Sequence, residues 1–208
     1  MNKLRLEAMS DGVFAIAMTL LVFQVHIPTI PDGAYSVLGL WNALIDILPL
    51  ISSYVVSFTV IAMYWTSHHA MFHFFTKSVN RTLVQINFLY LMLLAFVPFS
   101  TELLGTYSTN ILALWVYGAN IIALGSTAYG MFMYAIHSHE VDMHDVPHRT
   151  ITQAKIRILL TPSFALLSMF VAFISTPLAF LLFVFPVIFN LIPGSLDRSE
   201  RFLGITIR

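Results

Sequence analysis

Histidine is the residue type best able to do chemistry in this chain, and eight occur among its 208 residues. His68, His69 and His73 lie within two helical turns, and His144 and His148 stand at i, i+4, a spacing that puts two imidazoles on one helix face. Imidazoles grouped in this way can ligate a transition metal or titrate near neutral pH. A second group opens the chain, where Arg5, Ser10 and Asp11 lead into an apolar run. An ionisable residue at membrane depth costs about 2.5–3.5 kcal/mol on insertion scales unless it is paired or wetted. Asp11 is therefore expected to be buried against a partner: Arg5, Ser10 or a neighbouring helix. A solvated acid at a helix start is the alternative. Cysteine is absent, which removes thiolate metal sites, iron–sulfur clusters and thiol nucleophiles together.

The composition decides what kind of scaffold holds these groups. Apolar residues make up 58% of the chain and charged residues only 10%, whereas a soluble domain carries about 25% charged residues. The surface must therefore face lipid. Lys plus Arg and Asp plus Glu balance at ten each, so there is no excess positive charge with which to bind a phosphate backbone, and nucleic acid is not an expected partner. Lys3 and Arg5 ahead of an apolar run imitate a secretory signal, but Asp11 interrupts the start and no small-x-small cleavage site precedes Pro28 and Pro31. The run is expected to be a retained first membrane helix.

A membrane-crossing helix needs about 20 predominantly apolar residues, and five stretches lack Asp, Glu, Lys and Arg: 12–31, 47–76, 82–101, 103–139 and 158–196. Ser175-Thr176-Pro177 is a turn signal that divides the last stretch in two. The expectation is an all-α membrane protein of one domain, 1–208, with six spans near 5–27, 44–66, 83–102, 111–135, 156–174 and 177–192. Six spans place Lys3, Arg5, Lys77, Arg81, Arg149, Lys155, Arg157, Arg198, Arg201 and Arg208 on one side and leave the opposite loops without Lys or Arg. The positive-inside rule then makes both termini cytoplasmic in a multi-pass protein of the cell membrane. Trp41, Trp65 and Trp115 near span ends fit interfacial anchors. The polar segment 137–157 is too short to fold alone.

Along the first span, Ala8, Gly12, Ala15 and Thr19 form a stripe of small residues that would admit another backbone closely. Ile16, Thr19, Leu20, Phe23 and Ile27 form a second stripe at helical spacing, open to core, lipid or functional readings alike.

The segment R-L-E-A-M-S-D-G-V-F-A-I-A-M-T-L-L-V-F resembles the Arg-x-x-x-Phe-Ser-Asp signature that opens the first helix of the endosomal and lysosomal potassium channel family called transmembrane protein 175, in its single-repeat prokaryotic form. Tyr64-Trp65-Thr66-Ser67-His68-His69 resembles the Trp and paired His of that family's second helix, and Asn87 with Pro98-Phe99 resembles its third. Met9 replaces the family's usual Phe. The resemblance implies a homotetrameric, potassium-permeable cation channel, not an enzyme, with the first helix of each subunit lining a pore on the four-fold axis. It implies a narrow point at Ile16, with Thr19, Leu20 and Phe23 continuing the lining. It also implies a hydrogen-bonded cluster at the cytoplasmic end, with Arg5, Ser10 and Asp11 beside Trp65, His68, His69 and Asn87. Its partners would be identical subunits, membrane lipid and permeant K⁺ or other monovalent cations, without a cofactor or a resident metal.

Two rival readings stand beside it. Membrane desaturases hold two irons with histidine boxes that His68-His69, His73, His144 and His148 partly imitate, but the supply is marginal and a third box is missing. A secondary transporter predicts repeats and broken helices; Pro162 and Pro186 could break theirs, yet the first-helix signature does not recur, and Asp46 and Glu102 lie near span ends. Thr127-Ala128-Tyr129-Gly130 imitates a potassium-channel filter but lacks its central glycine and sits inside an apolar span.

Overall fold

A computed structural model describes residues 2–28, 36–76, 78–138 and 147–192, and all secondary elements among them are helical. In order they are α1 (Lys3–Phe23), α2 (Val37–Asp46), α3 (Leu48–Ala70) continued by a π-helical segment (Met71–Phe75), α4 (Arg81–Ala95), α5 (Val97–Thr106), α6 (Ile111–His137), α7 (His148–Val171) and α8 (Thr176–Leu191). Local chemistry sets the starts. The side chains of Asn2, Ser36, Asn80, Asn110 and Ser175 accept hydrogen bonds from the backbone N–H groups of Leu4, Gly39, Leu83, Leu112 and Leu178, satisfying donors that a first turn leaves unpaired. Pro49 and Pro177 sit in first turns, where a missing N–H costs nothing.

Five helical stretches are long and apolar enough to cross a membrane: Lys3–Phe23, Leu48–His73, Arg81–Thr106, Ile111–His137 and His148–Val171. α4 and α5 form one of these, broken where Phe96 turns before Val97 and Pro98, because proline cannot donate to the preceding turn. α8 is apolar but shorter. The expected span 156–174 starts too late, since α7 begins at His148 and carries Arg149, Lys155 and Arg157 on its first half: charged residues mark where the apolar layer ends, while the helix continues past it. The second expected span, 44–66, is shifted by several residues, with α3 and its π-helical extension running to Phe75. α2 was not expected at all. The loop charges at Lys77, Arg198, Arg201 and Arg208, the turn at Pro31-Asp32-Gly33, and His139 and His144 lie outside the described residues.

α6 is the centre of the packing, with Tyr117, Ile121, Leu124, Met131, Phe132 and Ala135 buried along it. It meets α4 and α5 on one side and the α7–α8 hairpin on the other, while α1 packs across α3, α4 and α5. Without water to drive helices together, close approach and interhelical hydrogen bonds must do the work. A Cβ on Gly105 would stand 2.8 Å from Leu50 Cα, so the α5–α3 contact requires glycine. Between the same helices and α6, Thr101 Oγ1 donates to Ser57 Oγ and Ser57 Oγ to Tyr117 OH, at 2.8 and 3.0 Å. The filter-like Thr127–Gly130 segment is uninterrupted helix within α6.

Candidate functional site

α1 has two unlike sides. Leu6, Ser10, Phe14, Ala17 and Leu21, at steps of three and four, are buried. Asp11, Gly12, Ala15, Ile16, Thr19, Leu20 and Phe23 are exposed on the single chain. Both stripes read from the sequence, the small one and the apolar one, fall on this uncovered side.

The buried side carries a directional polar chain into α4 and α3. Ser10 donates its hydroxyl proton to Leu6 O at 2.9 Å, so its oxygen is left to accept. Asn87 Nδ2 on α4 donates to that oxygen at 3.1 Å, which turns Asn87 Oδ1 toward His68 Nε2, 2.8 Å away on α3. The proton of His68 must then sit on Nε2, because the facing atom is an acceptor. Ser10 and Asn87 have no exposed surface and His68 has 4%. Aromatic rings enclose the imidazole: Phe72 at 4.6 Å, Phe14 at 5.5 Å and Tyr90 stacked at 5.6 Å. Buried polar groups are tolerable only when paired in this way.

One residue further along, Asp11 Oδ1 accepts from Trp65 Nε1 at 2.8 Å. Trp65 stacks on His69 at 5.5 Å, and His69 on His73 at 5.1 Å, making a ring column down one face of α3 into its π-helical extension. Adjacent residues of α1 are thus tied to different helices, Ser10 to α4 and Asp11 to α3.

Among the expected cluster residues, Ser10, Asn87 and His68 form one chain, while Asp11, Trp65 and His69 form a neighbouring group. Two expectations need correcting. Arg5 joins neither group: it is exposed on the single chain, about 100° around α1 from the buried Leu6. Asp11 is not buried in the single chain, since an indole N–H reaches it from the surface side of α3. Tyr90 and Phe14, which enclose His68, escaped sequence reading, although Tyr90 lies one helical turn after Asn87 and Phe14 one turn after Ser10. At the other end of α1, His26 Nε2 lies 3.3 Å from Glu102 Oε1 on α5.

No group of three or more His, Asp or Glu able to hold a metal occurs among the described residues. The buried His68 spends its Nε2 on Asn87, and no histidine-box pairing of His68 with His69 forms, since the two point to different surroundings.

Residues 5–98 match the model of a family described as the endosomal/lysosomal potassium channel TMEM175. A potassium channel of Streptomyces collinus is 46% identical over 103 residues, covering 50% of this chain and 48% of that protein. A potassium channel of a Chryseobacterium species is 36% identical over 131 residues, covering 62% of each. The endosomal/lysosomal proton channel TMEM175 of Gallus gallus is 32% identical over 112 residues, covering 52% of this chain and 22% of that protein. The matched stretch spans less than two thirds of these curated relatives, 48% of the Streptomyces protein and 62% of the Chryseobacterium protein. The crystal structure of a lysosomal potassium-selective channel TMEM175 homolog from Chamaesiphon minutus superposes with a TM-score of 0.75 at 27% identity, covering 91% of this chain and 98% of that one. Residues 5–98 are thus similar to the TMEM175 family, and the helical arrangement matches that of its Chamaesiphon minutus homolog.

Proposed function

We propose that the chain is a homotetrameric, potassium-permeable channel whose pore runs on the four-fold axis between four copies of α1. The uncovered side of α1 carries this reading: Ile16 is 59% exposed, Leu20 46% and Phe23 74% on the single chain. A Cβ on Gly12 would meet no atom within 4 Å. This face, small residues beside large apolar ones, suits close approach of identical helices. The family likeness and the relatives named as potassium channels supply the ion.

Ile16 forms the constriction. Moving a bare ion into an apolar site costs tens of kcal/mol on Born estimates, so a ring of four isoleucines too narrow for water is shut by dewetting. Conduction requires those side chains to separate. Thr19 donates its hydroxyl proton to Ala15 O and Ile16 O, at 3.0 and 2.9 Å, so the lone pairs of its oxygen are what a partly dehydrated cation would meet. K⁺ surrenders water more readily than Na⁺, which makes a moderate K⁺ preference the expected selectivity. Leu20 and Phe23 continue the lining, while the Ser10–Asn87–His68 chain and the Asp11–Trp65 bond hold the cytoplasmic end of α1. No cofactor enters this scheme.

The same reading takes α8 as a sixth span. Its 16 residues reach about 24 Å at 1.5 Å per residue, somewhat less than a 30 Å hydrocarbon core, a mismatch that bilayers absorb by local thinning. An even span count keeps all ten basic residues with both termini in the cytoplasm, and the chain acts as one channel unit in the cell membrane.

Purified protein reconstituted in planar bilayers tests the proposal. We expect cation currents that favour K⁺ over Na⁺, persist when the proton gradient is removed, and rise when Ile16→Asn wets the constriction. Absence of cation current from correctly folded protein, or an Ile16→Asn variant with wild-type conductance and selectivity, would refute the pore assignment. A mass measurement in detergent giving a monomer would refute the assembly.

A further inference from the structure

Between α3, α4, α6 and α7, a small cavity of about 20 Å³ is lined by Tyr64, Ser67, His68 and Tyr90 together with Ala128 and Ile158. Tyr64, Ser67 and His68 stand at i, i+3 and i+4 and so share a face of α3. Tyr90 stacks on the His68 ring at 5.6 Å and meets Tyr64 edge-on at 6.4 Å. Each of the four brings one unspent polar function. Tyr64 OH is buried without a hydrogen-bond partner among the described residues, and the hydroxyl of Tyr90, a residue only 1% exposed, makes no bond to any of them either. Ser67 donates its proton to Met63 O at 3.1 Å, which leaves its oxygen to accept. His68 spends the proton of Nε2 on Asn87, so its Nδ1 is an acceptor too.

We propose that one internal water occupies this cavity, accepting from the Tyr64 and Tyr90 hydroxyls and donating to His68 Nδ1 and Ser67 Oγ. Two donors and two acceptors are the complement of a water's two lone pairs and two protons. A water needs about 10–15 Å³ and two to four polar partners, and the cavity offers both. A cation of similar size would sit among neutral groups with no carboxylate beside it, a costly place for a buried charge. A dry cavity would leave four enclosed polar groups unpaired, which folded proteins avoid. Ser67 and Ile158 also line a larger cleft between α3, α6 and α7, which gives the water a way in. The water extends the polar chain that anchors α1. Hydrogen bonds then run in one direction from Tyr64 through water, His68, Asn87 and Ser10 to Leu6 O, and a donor held against Nδ1 keeps the imidazole proton on Nε2.

Solid-state NMR of the full chain in lipid bilayers, with ¹⁵N-labelled histidine, tests this independently of conduction. His68 is expected to show a protonated Nε2, an Nδ1 shifted as a hydrogen-bonded acceptor, and a contact from Nδ1 to water that survives suppression of the mobile-water signal. Ala128→Val puts two methyl groups into the cavity, so the water contact is lost and Nδ1 moves to the position of a free acceptor. Should Ala128→Val fail to fold, Tyr64→Phe decides instead, because the water loses a donor and the contact weakens. A protonated Nδ1, no water contact in the wild type, a contact unchanged in the folded variant, or a contact that alters when K⁺ is replaced by Na⁺ would each overturn the proposal.

Discussion

Replacing Asn87 by leucine is the most informative single change in this fold. Asn87 has no exposed surface and joins Ser10 at 3.1 Å to His68 at 2.8 Å. Leucine has similar volume, so the variant removes hydrogen bonding without opening a large cavity. Ser10 keeps its own bond to Leu6 O and loses only an incoming donor. His68 is left with a buried N–H facing a methyl group, and an orphaned donor of this kind costs about 1–3 kcal/mol. For a chain of about 200 residues that lowers Tm by about 2–12 °C. Replacing both partners of a buried hydrogen bond with apolar groups is close to neutral, and the rings of Phe14, Phe72 and Tyr90 already surround the imidazole. The double variant His68→Phe/Asn87→Leu should therefore recover most of the stability lost by Asn87→Leu. Thermal unfolding of the four proteins in one detergent measures the coupling. A double variant whose loss equals the sum of the two single losses would show that the chain described above carries no shared energy, and the reasoning would fail.

Other outcomes follow from the same geometry. Asp11→Ala and Trp65→Phe each remove the 2.8 Å bond between α1 and α3, so in bilayer recordings both should alter open probability in the same direction and leave the K⁺/Na⁺ permeability ratio unchanged. Gly105→Val drives side-chain atoms toward Leu50 Cα, 2.8 Å from the first added carbon, and should cost about 1–3 kcal/mol as overpacking, read as a fall in Tm. Glu102→Gln breaks an exposed contact with His26 and should change stability by less than about 1 kcal/mol in the same assay. Elemental analysis after mild purification should find less than one iron or zinc per chain; a full equivalent would revive the histidine-box reading.

Hydropathy alone located the long spans, because their length and lack of charge are imposed by the bilayer and not by neighbouring helices. It missed α2, whose ten residues are too few to cross and so leave no signal at span length. It also mistook the edge of the apolar layer for the start of α7, since Arg149, Lys155 and Arg157 suit a helix that runs on into water. The stripes of α1 were readable as stripes, but their exposure depends on which neighbours α1 has, and periodicity does not name neighbours. Residues Ser10, His68 and Asn87 were brought together by family likeness and not by spacing. Their order of donation became visible only once Ser10 was seen to spend its proton on Leu6. The Thr101–Ser57–Tyr117 chain had no sequence signal, because hydroxyl residues within membrane helices most often bond to their own backbone, as Ser53 and Thr59 do here.

The break before Pro98 gives α1 two independent landlords. Its inner end is leased to α4 through Ser10 and Asn87, while its outer end adjoins α5, where His26 meets Glu102. A single rigid rod gripping both ends would oblige α1 to move as a whole or not at all. With an elbow at Phe96 between α4 and α5, the unbroken α1 can tilt as a rod about its Ser10–Asn87 anchorage. Sideways travel grows with distance from the anchorage: Ile16 lies about 7.5 Å beyond Asp11 and Phe23 about 18 Å, at 1.5 Å per residue. In the proposed pore, the same tilt would therefore carry Phe23 more than twice as far as Ile16.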